Sequence, residues 1–224
     1  PAQFRRDAEF QIREKYVKFI FVDEIQKIPD LTNEIHLLIE KHRVTCILSG
    51  SSARKLKRGN SNLLGGRAIV RHLFPLTAQE FGASFDLEQT LQHGSLVWLA
   101  FDPLEIRTSK LRTYVDTYLR EEIAQEGFVR NLDTFYRFLD VAAAQFGDIL
   151  SFANVAREAG TSLKTVQNYY SILTETLIGY ELPAWDRSVR RQLSKHPKYY
   201  FADNGISNAI NKQLIDPPVP LQRG

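Results

Sequence analysis

Two short apolar runs with a helical pattern between them constrain this chain more than any other feature. Tyr16 to Val22 (YVKFIFV) is aromatic and β-branched, and it ends in Asp23-Glu24. Val44 to Leu48 is a second such run and ends in Ser49-Gly50-Ser51-Ser52. Between them Pro29 precedes Leu31, Ile35, Leu38 and Ile39, whose spacing predicts a helix over 31–42. Strand, helix and strand with short links imply parallel neighbours, because a parallel pair needs a crossover. Both strands read as buried, with polar groups gathered at their C-terminal ends. Ala68 to Phe74, closed by Pro75, predicts a third strand.

Near Pro75 to Gly82 the apolar period changes from two to 3.6, which marks a candidate domain boundary. Leu111, Tyr114, Val115, Tyr118, Leu119 and Ile123 make one helical face, and Leu132, Phe135, Phe138, Leu139 and Ala142 another. A short helix over 152–159 then meets Gly160, and a second helix starts near Thr161 or Ser162. In that helix Leu163, Val166, Tyr170, Leu173 and Leu177 form an inward stripe. This is helix-turn-helix spacing. Lys164, Thr165, Gln167, Asn168 and Ser171 face outward, and such side chains can bond phosphates or base edges. Ile178 to Pro183 and Lys198 to Phe201 predict two strands around a basic stretch, a winged-helix hairpin.

Composition narrows the class. Hydrophobic residues make up 43% and charged residues 25%, as in a globular protein. No apolar run approaches the ~20 residues that span a bilayer, and no signal-peptide pattern opens the chain, so we expect a cytoplasmic protein without a membrane partner. The lone cysteine, Cys46, excludes an internal disulfide and reads as a small packed hydrophobe. The five histidines show no ligand spacing with a carboxylate partner. Asp203, before Asn204-Gly205, reads as a turn or cap residue. Methionine is absent, and the chain starts Pro1-Ala2-Gln3. A piece of a longer protein is the reading adopted, with replaced methionines as the alternative.

The net charge of +3 conceals segregation. Lys41 to Gln79 contains no acid but carries Lys41, Arg43, Arg54, Lys55, Lys57, Arg58, Arg67 and Arg71. Arg187 to Ala202 is likewise free of acids and carries Arg187, Arg190, Arg191, Lys195 and Lys198. Such blocks attract phosphate, of a nucleotide or of a nucleic acid backbone.

Four apolar residues followed by Asp23-Glu24 suit phosphoryl-transfer chemistry. The Asp of such a strand end holds Mg²⁺, usually through water, and the Glu polarises the attacking water. Ser49 and Ser51, ending the next strand, stand where a γ-phosphate sensor belongs. Arg54 and Arg67, in the Gly-rich loop, can reach a phosphate in the same subunit or across an interface. The chain has no G-x-x-x-x-G-K-[ST], and no glycine lies within 1–16. We therefore expect the 224 residues to lack the phosphate cradle.

Together these segments resemble the predicted AAA+ superfamily P-loop ATPases of bacteria and archaea that carry a C-terminal domain of unknown function, number 4143. The resemblance rests on FIFVDEIQKIPDL (19–31), ILSGSSARKLKRGNSNLLGGRA (47–68), LFPLTAQEF (73–81), YLREEI (118–123), VRN (129–131), AREAGTSLKTVQNYYSIL (156–173) and PKYYFADNGI (197–206). It implies that Asp23 and Glu24 are a Walker B pair, that Ser49-Gly50-Ser51 occupies the sensor position, and that Arg67 belongs to a Gly-Arg element. It implies an α/β fold: the C-terminal part of a P-loop AAA-type parallel sheet, then a helical segment and a winged-helix domain. The expected divisions are a partial ATPase core over 1–80, helices over 81–146, the winged helix over 147–203, and the start of a truncated domain over 204–224. The expected cofactors, ATP and Mg²⁺, belong to the full-length parent. The winged helix has two readings, a DNA-binding module using Lys164, Gln167, Asn168, Arg190 and Arg191, or a docking site for a partner protein. A homo-oligomer is a further expected partner state.

Overall fold

The computed structural model describes residues 1–50, 68–122, 129–188 and 195–214. The chain divides into two units, Pro1–His72 and Leu73–Gly224.

In the first unit, α1 (Ala2–Lys15) precedes β1 (Phe19–Val22), α2 (Leu31–His42) and β2 (Thr45–Leu48). The two strands pair in parallel, Phe19 with Thr45 through Val22 with Leu48. Helix α2 buries Ile35 and Leu38 completely, as its spacing predicts, and stops at Arg43 in the left-handed region. Helix α1 buries no residue. It is tied to α2 by charge instead: Arg5 meets Glu34 at 3.3 Å, and Lys41 meets Glu9 at 2.9 Å. The Lys41 cation, first in the acid-free stretch, is thus answered by a neighbouring helix.

Two expectations fail here. The strands are not buried on both faces: Phe19, Phe21 and Ile47 are 66%, 65% and 53% exposed, while Ile20, Val22, Cys46 and Leu48 are half-buried. A pleated strand sends alternate side chains to opposite faces, and only one face of this pair is partly covered. Burial pushes the half-buried Cys46 thiol upward, which disfavours a nucleophilic thiolate. Residues 68–74 form no strand, and Leu73 is 94% exposed. A β-branched run becomes a strand only when a partner edge pairs with it.

In the second unit, α3 (Ala78–Phe81) opens with a reciprocal capping box between Thr77 and Glu80. A 3₁₀ turn (Gly82–Ser84), α4 (Leu87–His93) and α5 (Leu104–Thr113) follow, and α5 runs on into a π-helical segment, Tyr114–Glu122. Across that junction Leu111, Val115 and Leu119 are buried at steps of four. Then come α6 (Leu132–Ala144), α7 (Phe152–Glu158), α8 (Leu163–Glu175), β3 (Gly179–Leu182), β4 (Lys198–Phe201) and α9 (Asn204–Ile210). Strands β3 and β4 pair antiparallel.

The core of this unit is aromatic. Phe138 packs edge-on to Tyr170 at 4.9 Å and also meets Tyr169, while Tyr170 meets Tyr199 at 4.5 Å. These contacts join α6, α8 and β4. Such ring pairs each add ~0.5–1.5 kcal/mol beyond the area they bury. Among the described residues, no helix is long and apolar enough to cross a membrane.

Asp203 occupies the cap position of α9, as expected, but it is 4% exposed. Burial lifts its carboxyl to about 6, against the opposing pull of the Ser95 amide, which donates at 2.6 Å, and of the amides at the start of α9. Between pH 4 and 6 the unfolded chain loses this proton while the folded one keeps it. Stability from this group is therefore complete below about pH 4 and falls as pH rises toward 6, by on the order of 3 kcal/mol. Asp203→Asn should remove that part of the slope. Urea unfolding of both proteins from pH 4 to 7 measures it, and parallel curves would refute the assignment.

Candidate functional site

The β1–β2 ladder continues past the strand ends. The Ser49 amide donates to the Val22 carbonyl at 2.9 Å, and the Ile25 amide donates to the Ser49 carbonyl at 3.0 Å. These bonds seat Ser49 beside Asp23. The Ser49 hydroxyl donates to Asp23 Oδ1, and the Glu24 amide donates to the same oxygen at 3.0 Å. Two hard oxygen donors, one carboxylate and one hydroxyl, thus meet at the C-terminal ends of two parallel strands.

Glu24 follows with φ 54° and ψ 42°, in the left-handed region. The chain then makes a 3₁₀ turn, Ile25–Lys27, with Ile25 and Gln26 both buried. The Gln26 amide donates to Glu24 Oε2 at 2.6 Å. The Lys27 ammonium lies 3.7 Å from that oxygen but is largely exposed. Gly50 passes so close that a Cβ there would stand 2.4 Å from Gln26 Oε1.

The geometry thus brings Asp23 and Ser49 together, with Glu24 next in the chain and its carboxylate turned to Gln26. Ser51, Arg54 and Arg67 lie outside the described residues. Gln26 escaped the sequence reading, since a polar residue two positions past an acid gives no sign that it folds under the turn.

A second constellation lies in the other unit. Helices α7 and α8 pack together, joined through Gly160 at φ 65°. Positive φ suits glycine there and lets the chain reverse within a few residues. Ser162 caps α8 by accepting from the Thr165 amide at 3.1 Å. Val166, Tyr170 and Leu173 of the expected stripe are buried, whereas Leu163 and Leu177 are 46% and 37% exposed. Lys164, Gln167 and Asn168 are exposed on the outer face. Beside this face a shallow cleft of about 560 Å³ is lined by Gln167, Ser171, Glu175, Tyr180 and Glu181, among others. Burial raises the Glu181 carboxyl. Arg190 and Arg191 lie outside the described residues, while Lys195 is paired with Asp186 at 3.0 Å.

Three comparisons with known proteins bear on these sites. The family described as "AAA domain" matches residues 2–82, so the first site lies in an AAA-type, ATPase-like region. The family described as "Domain of unknown function (DUF8612)" matches residues 97–214, whereas the resemblance implied number 4143. Uncharacterised proteins of Mycobacterium tuberculosis and Mycobacterium bovis are each 26% identical over 206 residues, covering 91% of this chain and 46% of theirs. An uncharacterised protein of Haemophilus influenzae is 22% identical, covering 87% of this chain and 53% of its own. The chain thus spans about half the length of these relatives. No solved structure matches it.

The Ser162 cap holds the start of α8, which carries Lys164, Gln167 and Asn168. Ser162→Ala should cost about 1 kcal/mol. Chemical denaturation checks this, and an unchanged midpoint would show that the cap bond contributes nothing.

Proposed function

We propose that this chain, which belongs to the family carrying domain of unknown function 8612, is the hydrolytic part of an ATP-binding and ATP-hydrolysing protein. The observation that carries the reading is the meeting of Asp23 and Ser49 at neighbouring parallel strand ends, with Glu24 next in the chain.

In this reading Asp23 holds Mg²⁺ through water, and the donor set fits, since Mg²⁺ takes carboxylate, hydroxyl and water oxygens. Glu24 polarises the attacking water. Ser49 senses the γ-phosphate, with Ser51, Arg54 and Arg67 as further phosphate contacts. The missing Gly-rich cradle with its Lys is proposed to come from sequence outside these 224 residues. Turnover is therefore assigned to the full-length protein. In that protein Glu24→Gln should lower ATP turnover by roughly 10²–10⁴-fold while ATP still binds. Equal turnover in the variant and the wild type would overturn the reading.

A second reading places the working surface on α8. The exposed row of Lys164, Gln167 and Asn168, on a helix followed by the β3–β4 hairpin, favours a winged-helix module that docks DNA or a protein. Glu175 and Glu181 line the far end of the same face and would repel phosphate. A DNA contact is thus confined to the N-terminal half of α8. Duplex binding should weaken steeply with salt, and Lys164→Ala should reduce that slope by about one. Salt-insensitive or undetectable binding leaves protein docking as the role of this face.

A further inference from the structure

We infer that Gln26 is a positioning residue that fixes the carboxylate of Glu24 for its work on the attacking water, an inference that rests on the ATPase reading above. Glu24 lies in the left-handed region, which is unfavourable for a residue with a Cβ, so its local backbone does not favour this placement. A half-exposed glutamate with a three-bond side chain also samples several rotamers unless something holds it. Gln26 supplies the hold. Its own side chain is fixed by burial, at 4% exposure, and its amide reaches Glu24 Oε2 at 2.6 Å. A hydrogen bond to a carboxylate is shorter and stronger than a neutral one.

Lys27 shares that oxygen, but its side chain is 73% exposed and solvent screens the pair. The donor that matters is therefore uncharged. The Gln26 amide is held in place by burial and so sets the orientation of the carboxylate it bonds. The following strand end bears on the arrangement, because a Cβ at position 50 would stand 2.4 Å from Gln26 Oε1 and shift that side chain. Glu24, Gln26 and Gly50 thus act together, and displacing a catalytic group by ~1 Å can cost about 10²-fold in rate.

The test uses the full-length protein with Gln26→Glu and Gly50→Ala, beside Glu24→Gln. The first keeps the shape of the side chain and replaces the donor by a second carboxylate. The second retains Gln26 but displaces its side chain. Both should lower kcat at least about tenfold, with KM for ATP within about twofold, in variants whose circular dichroism shows them folded at the assay temperature. A folded variant at wild-type kcat, a rise in kcat, or a KM that moves by the same factor would each overturn the inference. The two readings fail separately. Turnover abolished by Glu24→Gln but untouched by the other variants removes the role of Gln26 alone. A wild-type protein without ATP turnover removes both.

Discussion

The parallel ladder between β1 and β2 sets the register on which the first unit depends. With Val22 opposite Leu48, the next bonds run from Ser49 to Val22 and from Ile25 to Ser49. They carry the pairing beyond the strands into the turn. A slip of one residue would send every side chain to the opposite face and part Asp23 from Ser49. The helix between the strands makes the parallel arrangement possible, and its buried Ile35 and Leu38 anchor it. Backbone hydrogen bonds and one amphipathic helix thus bring Ser49 to Asp23 from 26 positions away in the chain.

The second unit is organised by shape rather than by register. Tyr170 touches Phe138, Phe152 and Tyr199, so one ring links α6, α7, α8 and β4. Burial pushes its phenol up, to a value above any physiological pH, and the ring stays neutral in the core. The outer face of α8 is polar because the inner face is taken wholly by this cluster.

Much of this was legible in the sequence, and the failures share physical causes. Helix α2, the helical pair around Gly160 and the β3–β4 strands follow from apolar spacing, since in each case a stripe meets a partner. Helix α1 left no such signal, because it buries nothing and rests on ion pairs whose partners lie about 30 residues away in the chain. The apolar spacing puts Leu132 and Leu163 on inward faces, yet each is the first residue of its helix and is nearly half exposed. Residues 68–74 have strand-like composition without a paired edge. Gln26 was invisible for a different reason: its importance lies in where a tight turn points it, and turn geometry follows from the ladder rather than from residue type.

The open face of the two-stranded sheet has a consequence for handling the molecule. Among the described residues each strand of the first unit has one neighbour, so β1 and β2 both present an unpaired edge beside the bared rings of Phe19 and Phe21. Unpaired edges next to apolar side chains are templates for association between copies. An edge and two bared rings on one small sheet make this the part of the described surface best suited to contact with another strand.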